Sequence, residues 1–252
     1  MSAPGELLSA GELRAARRSR RHPRPTQFDY LHLQALLVDI KEALARLDGS
    51  VADALDIYCG SRPYDDLFPR GAHCVGLDVE GNPYGVADVV SDRFLPFEDS
   101  SFDLVTCFEA FQYVTDPVHG VGEIRRVLRP GGVALLTVPF VWEYNRTILE
   151  RRYTGPELEA LFEAWDEVRV VEDGGRAIAW ATLTGTLVER GRTRIPDLGG
   201  LGRVARSVLQ GLFVVLNGFG YVLNVLERRL ERGSTTTLPM NLLVTARKPP
   251  DG

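Results

Sequence analysis

The chain has 252 residues, of which 44% are hydrophobic and 25% charged, as in an ordinary globular protein with one sizeable core. Its formal net charge of -5 gives no overall attraction to nucleic acid, because phosphate binding needs dominant clusters of positive charge. The three cysteines lack metal-ligand or disulfide spacing, and no N-terminal apolar run is long enough for a secretory signal. We therefore expect a cytoplasmic protein that binds no nucleic acid.

The N-terminal segment, residues 1–27, is polar and rich in arginine. Six arginines crowd together around His22: Arg14, Arg17, Arg18, Arg20, Arg21 and Arg24. This composition predicts a flexible, solvated basic arm, and an arm that binds phosphate or acidic lipid is the alternative. From Tyr30 to Leu47 apolar residues recur at helical spacing, which predicts an amphipathic helix that stops at Asp48 and Gly49.

After residue 50 the pattern changes to short apolar runs that alternate with helical segments. Six runs predict buried strands: 51–59, 72–79, 102–108, 132–140, 167–171 and 239–248. Helices are predicted between them over 116–128 and 154–164. Strands that alternate with helices indicate an α/β fold with a parallel sheet covered on both faces.

About sixty residues, 174–236, precede the last strand, too many for a plain connection, and they predict a helical insertion or cap. Its long segment 203–231 carries a narrow polar stripe, and everything off that stripe between Val208 and Leu226 is apolar or glycine. The stripe residues recur every seven positions: Arg203, Gln210, Asn217, Asn224 and Glu231.

The apolar surface of such a helix must be shielded from water, and three arrangements would achieve this. It can pack on its own domain, form a homodimer, or lie in a membrane interface as a peripheral contact. A spanning helix is not expected, because the stripe would place amides in lipid and the chain must then return to complete the sheet.

In an open parallel sheet, ligands bind where the carboxyl ends of the strands meet the following loops. Asp56 lies late in the first predicted strand, a turn of small residues follows it, and Asp78 ends the second strand. Gly60 lets the backbone of that turn approach a ligand closely. These residues predict a pocket in which two carboxylates surround a polar ligand.

Four segments make the prediction more specific: "ALDIYCGSRPY", "VGLDVE", "LPFEDSSFDLVTCFEAFQYVTDP" and "EIRRVLRPGGVALLTVPF". In this order and spacing, residues 52–140 resemble the core of class I S-adenosylmethionine-dependent methyltransferases, in particular the type 11 domain. The resemblance implies a Rossmann-like, mostly parallel seven-stranded sheet with helices on both faces. It also implies S-adenosylmethionine as cofactor and a core formed by residues 28–173 and 237–248, with the insertion before the last strand.

The resemblance also implies roles for individual residues. Asp56 would orient the loop or the cofactor's amino group, Tyr58, Gly60 and Ser61 would face the methionine part, and Asp78 would accept both ribose hydroxyls. Further along the chain, one group would lie near the adenine and a second below the reactive methyl: Asp92, Arg93 and Phe94, then Phe108 and Glu109.

The first loop departs from the family pattern, because Tyr58 and Arg62 stand where the outer two glycines would be. If the backbone of Tyr58 requires a positive φ, the loop is strained. The loop is interpreted as modified, and the alternative is a catalytically degenerate protein that acts as a binding or assembly module. A nicotinamide dehydrogenase has less support, because the G-x-G-x-x-G fingerprint is missing.

Methyl transfer mainly requires alignment of the reactants, and a base is needed only when the acceptor carries a proton that must leave. The candidate bases are His119, Tyr113 and Glu143, and no histidines pair at metal-ligand spacing. Residues predicted to bind the acceptor follow the fifth strand: Trp142, Tyr144, Arg152 and Tyr153. With the arginines of the N-terminal segment, they suggest a small-molecule acceptor that bears a phosphate or is linked to a lipid.

Overall fold

Seven strands form one sheet in the computed structural model, which describes residues 7–47, 51–91, 95–196, 198–230 and 236–250. The strand order is β3-β2-β1-β4-β5-β7-β6, and β7 is antiparallel to both of its neighbours. The strands are β1 (Asp53–Ile57), β2 (His73–Asp78), β3 (Val89–Val90), β4 (Phe102–Phe108), β5 (Leu128–Pro139), β6 (Asp166–Asp173) and β7 (Asn241–Arg247). This mostly parallel sheet confirms the predicted Rossmann-like methyltransferase fold.

Helices cover both faces of the sheet. They are α1 (Ala10–Arg21), α2 (Tyr30–Ala45), α3 (Pro117–Val127), α4 (Gly155–Leu161), α5 (Arg176–Thr193) and α6 (Gly199–Leu230). On one face, Leu36 and Ile40 of α2 pack in a buried cluster with Leu104 of β4. On the other face, Ile124 of α3 and Phe162, just after α4, belong to the largest buried cluster. Strand residues alternate between the two clusters, as expected for a sheet buried on both sides.

The helices that follow β4 and β5 begin at side chains suited to that task. The Asp116 carboxylate accepts a hydrogen bond from the backbone N–H of His119 at 3.0 Å, and Pro117 occupies the first turn of α3. Thr154 and Glu157 form a reciprocal capping box at the start of α4. These caps fix where the chain leaves the sheet edge that holds the candidate site.

The prediction of a flexible basic arm is wrong for the residues of α1. Ser9 and Glu12 form a capping box that starts the helix. Arg21 then forms a two-pronged ion pair with Asp66, with nitrogen–oxygen distances of 2.8 Å, and the N–H of Leu8 donates to a carbonyl beyond β2. The arginine content suggested disorder, but the cap and the acidic partner order the segment. Residues 1–6 of the predicted arm lie outside the described residues.

The predicted insertion forms α5 and α6, which pack along each other in opposite directions. The Glu227 carboxylate, near the end of α6, accepts hydrogen bonds from the backbone N–H groups of Arg176 and Ala177 at the start of α5, at 2.7 and 2.8 Å. Glu227 thereby caps α5, whose own N-cap residue is a glycine. The limits of the insertion relative to the core remain a prediction.

Helix α6 carries two stripes of opposite character. The inner stripe, which faces the protein, consists of Phe213, Asn217, Gly220, Asn224 and Glu227. The outer stripe is apolar, recurs every three or four residues and is exposed to between 38% and 66%: Val208, Leu212, Val215, Phe219, Val222 and Leu226. The polar stripe predicted from the sequence is thus the side that α6 turns toward the domain over its second half.

The three cysteines carry free thiols. Cys59 and Cys107 are buried and Cys74 is half-buried. Burial raises the pKa of all three thiols above the ordinary value, that of Cys74 to about 12. Because the thiolate is the reactive form, these side chains are chemically quiet at neutral pH.

Candidate active site

A cleft of about 520 Å³ opens at the carboxyl ends of β1, β2 and β4. It lies where the strand order reverses between β1 and β4, the position where open α/β sheets bind their ligands. Seven residues assigned to the cofactor from the sequence line it: Asp56, Tyr58, Gly60, Ser61, Asp78, Phe108 and Glu109. The other three assigned residues, Asp92, Arg93 and Phe94, lie outside the described residues.

The loop after β1 has a left-handed backbone at every second residue. The φ angles are 55° at Tyr58, 55° at Gly60 and 54° at Arg62. The strain expected at Tyr58 is therefore present, and Arg62 shares it, at a cost on the order of 1–2 kcal/mol for each non-glycine residue. Arg62 is held in place by an ion pair with Asp65 at 2.9 Å and by a second ion pair with Asp88.

Asp78 holds the loops after β1 and β2 together. Its Oδ2 accepts a hydrogen bond from the N–H of Gly60, and its Oδ1 accepts one from the N–H of Val79, both at 2.8 Å. The side chain of Asn82 also donates to Oδ2. A carboxylate has about four acceptor sites, so Asp78 retains capacity to accept from a ligand hydroxyl.

Asp56 lies beneath the loop and is buried. Its carboxylate accepts a hydrogen bond from the Thr106 hydroxyl on β4 at 2.7 Å. Burial raises the pKa of Asp56 to about 7, because the charged form is poorly solvated there, although the hydrogen bond from Thr106 opposes this shift. Asp56 therefore changes its charge near neutral pH.

Glu109 follows β4 in another left-handed position, with φ of 55°. Its backbone N–H donates to the carbonyl oxygen and the hydroxyl of Thr137 on β5, at 3.0 and 2.9 Å. Its Oε1 is buried and has no hydrogen-bond partner among the described residues. Burial raises the pKa of Glu109 to about 7, and the nearby charge of Arg20 opposes the rise. Strain, burial and an unpartnered oxygen coincide here, as they do at functional sites.

Helix α1 supplies a cleft residue that the sequence analysis did not assign to the site. Arg20 lines the cleft together with Tyr64 and Glu109. One turn earlier, Nε of Arg17 donates to the carbonyl oxygen of Ser61 in the strained loop. The sequence did contain a signal for this helix, the capping pattern of Ser9 and Glu12. In a helix that begins there, arginines three and four residues apart lie on one face.

A second hollow of about 250 Å³ adjoins the cleft and shares Tyr58, Asp78, Val79 and Tyr113 with it. Ser91, which directly precedes the residues 92–94 that were assigned to the adenine, also lines this hollow. Two of the candidate bases, Tyr113 and His119, lie here. The third, Glu143, forms an ion pair with Arg190 of α5 at 2.7 Å.

The four residues assigned to the acceptor are not brought together in the cleft. Trp142 stacks on His32, with ring centroids 4.9 Å apart. Tyr153 is 2% exposed and packs on Phe111, while Arg152 pairs with Glu150 at 3.0 Å. Tyr144 is exposed. Within the described part of the chain, none of the four lines the cleft or the second hollow.

The sheet order, the antiparallel β7 and the two acidic residues at the ends of β1 and β2 define a class I S-adenosylmethionine-dependent methyltransferase fold. Residues 55–136 match the family model described as "Methyltransferase domain", of type 11. The chain therefore carries a type 11 methyltransferase domain, and S-adenosylmethionine is the cofactor of that family.

Two curated relatives are both named ubiquinone biosynthesis O-methyltransferase. The protein of Hahella chejuensis is 30% identical over 122 residues, which cover 42% of this chain and 50% of the relative. The protein of Pseudomonas aeruginosa (strain UCBPP-PA14) is 28% identical over 130 residues, which cover 45% and 55%. The chain thus matches only about half the length of these relatives.

Solved structures with the same fold differ in what their names say. Phosphoethanolamine N-methyltransferase 2 of Haemonchus contortus, in complex with S-adenosylhomocysteine, has a TM-score of 0.53 at 17% identity, covering 84% of this chain and 52% of the other. The [4+2]-cyclase SpnF has a TM-score of 0.54 at 19% identity, covering 88% and 83%. A putative methyltransferase of Haloferax volcanii, bound to the activator Trm112, has a TM-score of 0.51 at 20% identity and covers 95% of each chain. At these identities the likeness shows the fold alone.

Proposed function

We propose that this protein transfers the methyl group of S-adenosylmethionine to a small-molecule acceptor in the cytoplasm. The observation that carries the proposal is Asp78, which links the strained loop to β2 through the N–H of Gly60 at 2.8 Å and retains acceptor capacity. The acceptor site left on Oδ1 suits a hydroxyl of a ribose. The altered glycine loop is therefore compatible with cofactor binding.

The charges of the cleft fit the amino-acid end of the cofactor. Arg20 supplies a cation for a carboxylate, and Asp56 and Glu109 supply carboxylates for an ammonium group. The buried Oε1 of Glu109 would gain a hydrogen-bond donor from such a ligand. The side chains of Tyr58 and Val79, which line the second hollow, would pack against an aromatic ring.

When bound, S-adenosylmethionine supplies a methyl group already activated by its sulfonium, so the protein has mainly to align the acceptor and exclude water. Helix α1 helps to exclude water, because the contact of Arg17 with Ser61 and the ion pair of Arg21 with Asp66 hold it against the cleft loops.

The acceptor class is proposed from the positive charge around α1. Arg14, Arg18, His22 and Arg24 line a shallow groove of about 390 Å³ on α1, and Arg20 of the same helix reaches the cleft. A small molecule that bears a phosphate or is linked to a lipid phosphate would be attracted to this helix. In a screen of acceptors by methyl transfer from labelled cofactor, turnover confined to uncharged soluble metabolites would contradict this part of the proposal.

The first test is calorimetric titration of the full chain with S-adenosylmethionine and S-adenosylhomocysteine. Asp78→Ala removes the ribose acceptor and is expected to weaken binding at least about tenfold, because a hydrogen bond to a charged group is lost. Glu42→Ala is the matched control, since it removes an exposed acid of α2 that lies outside the cleft and pairs with Arg46. Equal binding by both variants would contradict the assignment of Asp78.

A second candidate function is a binding or assembly module that keeps the fold without catalysis. The strain at Tyr58 and Arg62 and the exposed outer stripe of α6 favour it. If the folded wild-type protein binds neither cofactor form, this second function replaces the first.

A further inference from the structure

The packing of α6 reverses the usual arrangement of an amphipathic helix on a soluble protein. Asn217 turns inward and donates from Nδ2 to the carbonyl oxygens of Pro25 and Gln27 at 2.9 and 2.8 Å, and Asn224, two turns further along α6, is buried as well. The outer stripe of α6 meanwhile faces away from the protein. Because Asn217 and Glu227 both hold the inner stripe in place, the helix cannot rotate to bury its apolar side.

Helix α5 extends this apolar surface. Trp180, Leu183 and Leu187 recur at helical spacing and are exposed, and the ring of Trp180 packs edge-on against Phe219 at 5.6 Å between centroids. Together with the outer stripe they form a continuous apolar face over two neighbouring helices. Contiguous exposed apolar surfaces of this kind mark contact sites for proteins or membranes.

Arginines flank the apolar face at both ends. Arg194 follows Leu187 by two turns on the same side of α5, and Arg229 follows Leu226 by one turn on the outer side of α6; both are exposed. Across the whole of α6 the only acidic residue is Glu227, and its side chain belongs to the inner stripe. The face is therefore apolar in the middle and positive at its ends, on a chain whose net charge is -5.

We infer that the outer face of α5 and α6 docks on the surface of an anionic lipid bilayer. An apolar face inserted at the level of the acyl chains, with arginines at the phosphate level, is how amphipathic helices bind membranes. With 32 residues, α6 is about 48 Å long and lies along the bilayer plane.

The charges argue against a second copy of the chain as the partner that binds this apolar face. In an antiparallel pairing of the outer faces, Arg194 of one copy would meet Arg229 of the other, and in a parallel pairing each arginine would meet its own equivalent. No outward acid on α6 would neutralise them, whereas paired helices usually flank their apolar seam with opposite charges.

The same contacts argue against a spanning helix, although α6 is long and apolar enough to cross a membrane by length and composition. Asn217 and Glu227 attach it along its length to the segment before α2 and to the start of α5. A helix that crossed the bilayer would lose these contacts and leave both polar side chains in hydrocarbon.

The test is flotation of the full chain with vesicles of phosphatidylcholine, alone or mixed with phosphatidylglycerol. The wild type is expected to float with the mixed vesicles and less with the neutral ones. The double variant Val215→Glu/Val222→Glu places charges on the outer stripe and is expected to lose at least about tenfold in vesicle affinity. Arg194→Gln/Arg229→Gln is expected to lose about tenfold on the mixed vesicles, with little change on the neutral ones.

Val118→Glu is the matched control, because Val118 is 71% exposed on α3, away from both insertion helices. It is expected to bind vesicles like the wild type. Equal binding by all variants, or no binding by the folded wild type, would overturn the inference. So would a dimer by light scattering that only the outer-stripe variant dissociates, or a wild type that resists alkaline extraction. None of these readouts depends on methyl transfer, so the two proposals fail separately.

Discussion

The sheet core and the α5–α6 pair bury opposite kinds of side chain. Around the sheet, residues such as Leu55 and Phe111 are fully buried, and the polar groups gather at the carboxyl edge where the cleft opens. On α6, asparagines are buried and a row of apolar residues faces outward. The apolar content of a segment therefore indicates only that part of its surface must be shielded from water. The positions of its polar groups determine which face packs against the rest of the protein.

The largest expected contrast comes from the same change made in both regions. Phe111 is 0% exposed in the core, and Phe219 is 53% exposed on the outer stripe. Phe111→Ala removes a fully buried ring and is expected to lower the free energy of unfolding by about 3–5 kcal/mol. Phe219→Ala is expected to lower it by less than about 1 kcal/mol, because the ring is half in solvent. Urea denaturation of both variants measures the difference.

Similar losses at the two positions would break the comparison, since they would mean that α6 is covered on its outer side in solution. A repeat of the measurement over a range of protein concentrations separates that case. A concentration-dependent midpoint indicates association of copies, and a constant one indicates packing within the chain.

A smaller effect is expected at the polar contact that holds α6. Asn217→Ala leaves the carbonyl oxygens of Pro25 and Gln27 without their donor and is expected to cost about 1–3 kcal/mol. Gln210, two turns earlier on the sequence-predicted polar stripe, is exposed, so Gln210→Ala should change stability by less than about 0.5 kcal/mol. If the two variants are equally stable, the inner stripe does not hold the helix.

A buried carboxylate at the end of β6, just before α5, is expected to make the stability of the fold depend on pH. Asp173, at the end of β6, accepts from the side chain of Asn241 at 2.9 Å, and burial raises its pKa to about 8. An unfolded aspartate titrates near about 3.9, so the folded chain binds the extra proton between these values and loses stability as the pH rises through them.

Asp173→Asn is therefore expected to flatten the fall in stability between about pH 4 and 8 by up to about 1.4 kcal/mol per pH unit. Thermal or urea denaturation across this range measures the slope. The buried His32 has a pKa lowered to about 3 by burial and acts in the opposite sense, with stability lost as the pH falls below about 6.5. An unchanged slope in the variant would mean that Asp173 is ionised in the folded chain.

The sequence predicted most of the sheet and helices, because buried strands and amphipathic helices have distinct apolar periods. It missed α1, since the arginine content of residues 10–21 outweighed the capping signal of Ser9 and Glu12. The resemblance to a known family supplied the number of strands and their mostly parallel arrangement, and the strand order came from the structure, because no local pattern specifies which strands pair. The two-residue strand β3 is too short to have a pattern of its own.

The candidate site was predictable where its residues end strands. Asp56, Asp78 and Glu109 all belong to the carboxyl edge of the sheet, so their positions along the strands implied that they would meet. Arg20 could not be found this way, because it reaches the cleft from a helix outside the sheet. Nor did the sequence indicate that the segment after β5 turns Trp142 and Tyr153 toward packing contacts instead of the cleft.

The low reactivity of the thiols of Cys59, Cys74 and Cys107 makes site-specific labelling of this protein practical. Because their pKa values are raised, maleimide reagents should leave the native chain largely unmodified at neutral pH. A single cysteine introduced by Val215→Cys could then carry an environment-sensitive fluorophore. Its emission would report directly whether that position enters a layer of low polarity, and a series of labelled positions along the helix would chart the depth of each turn.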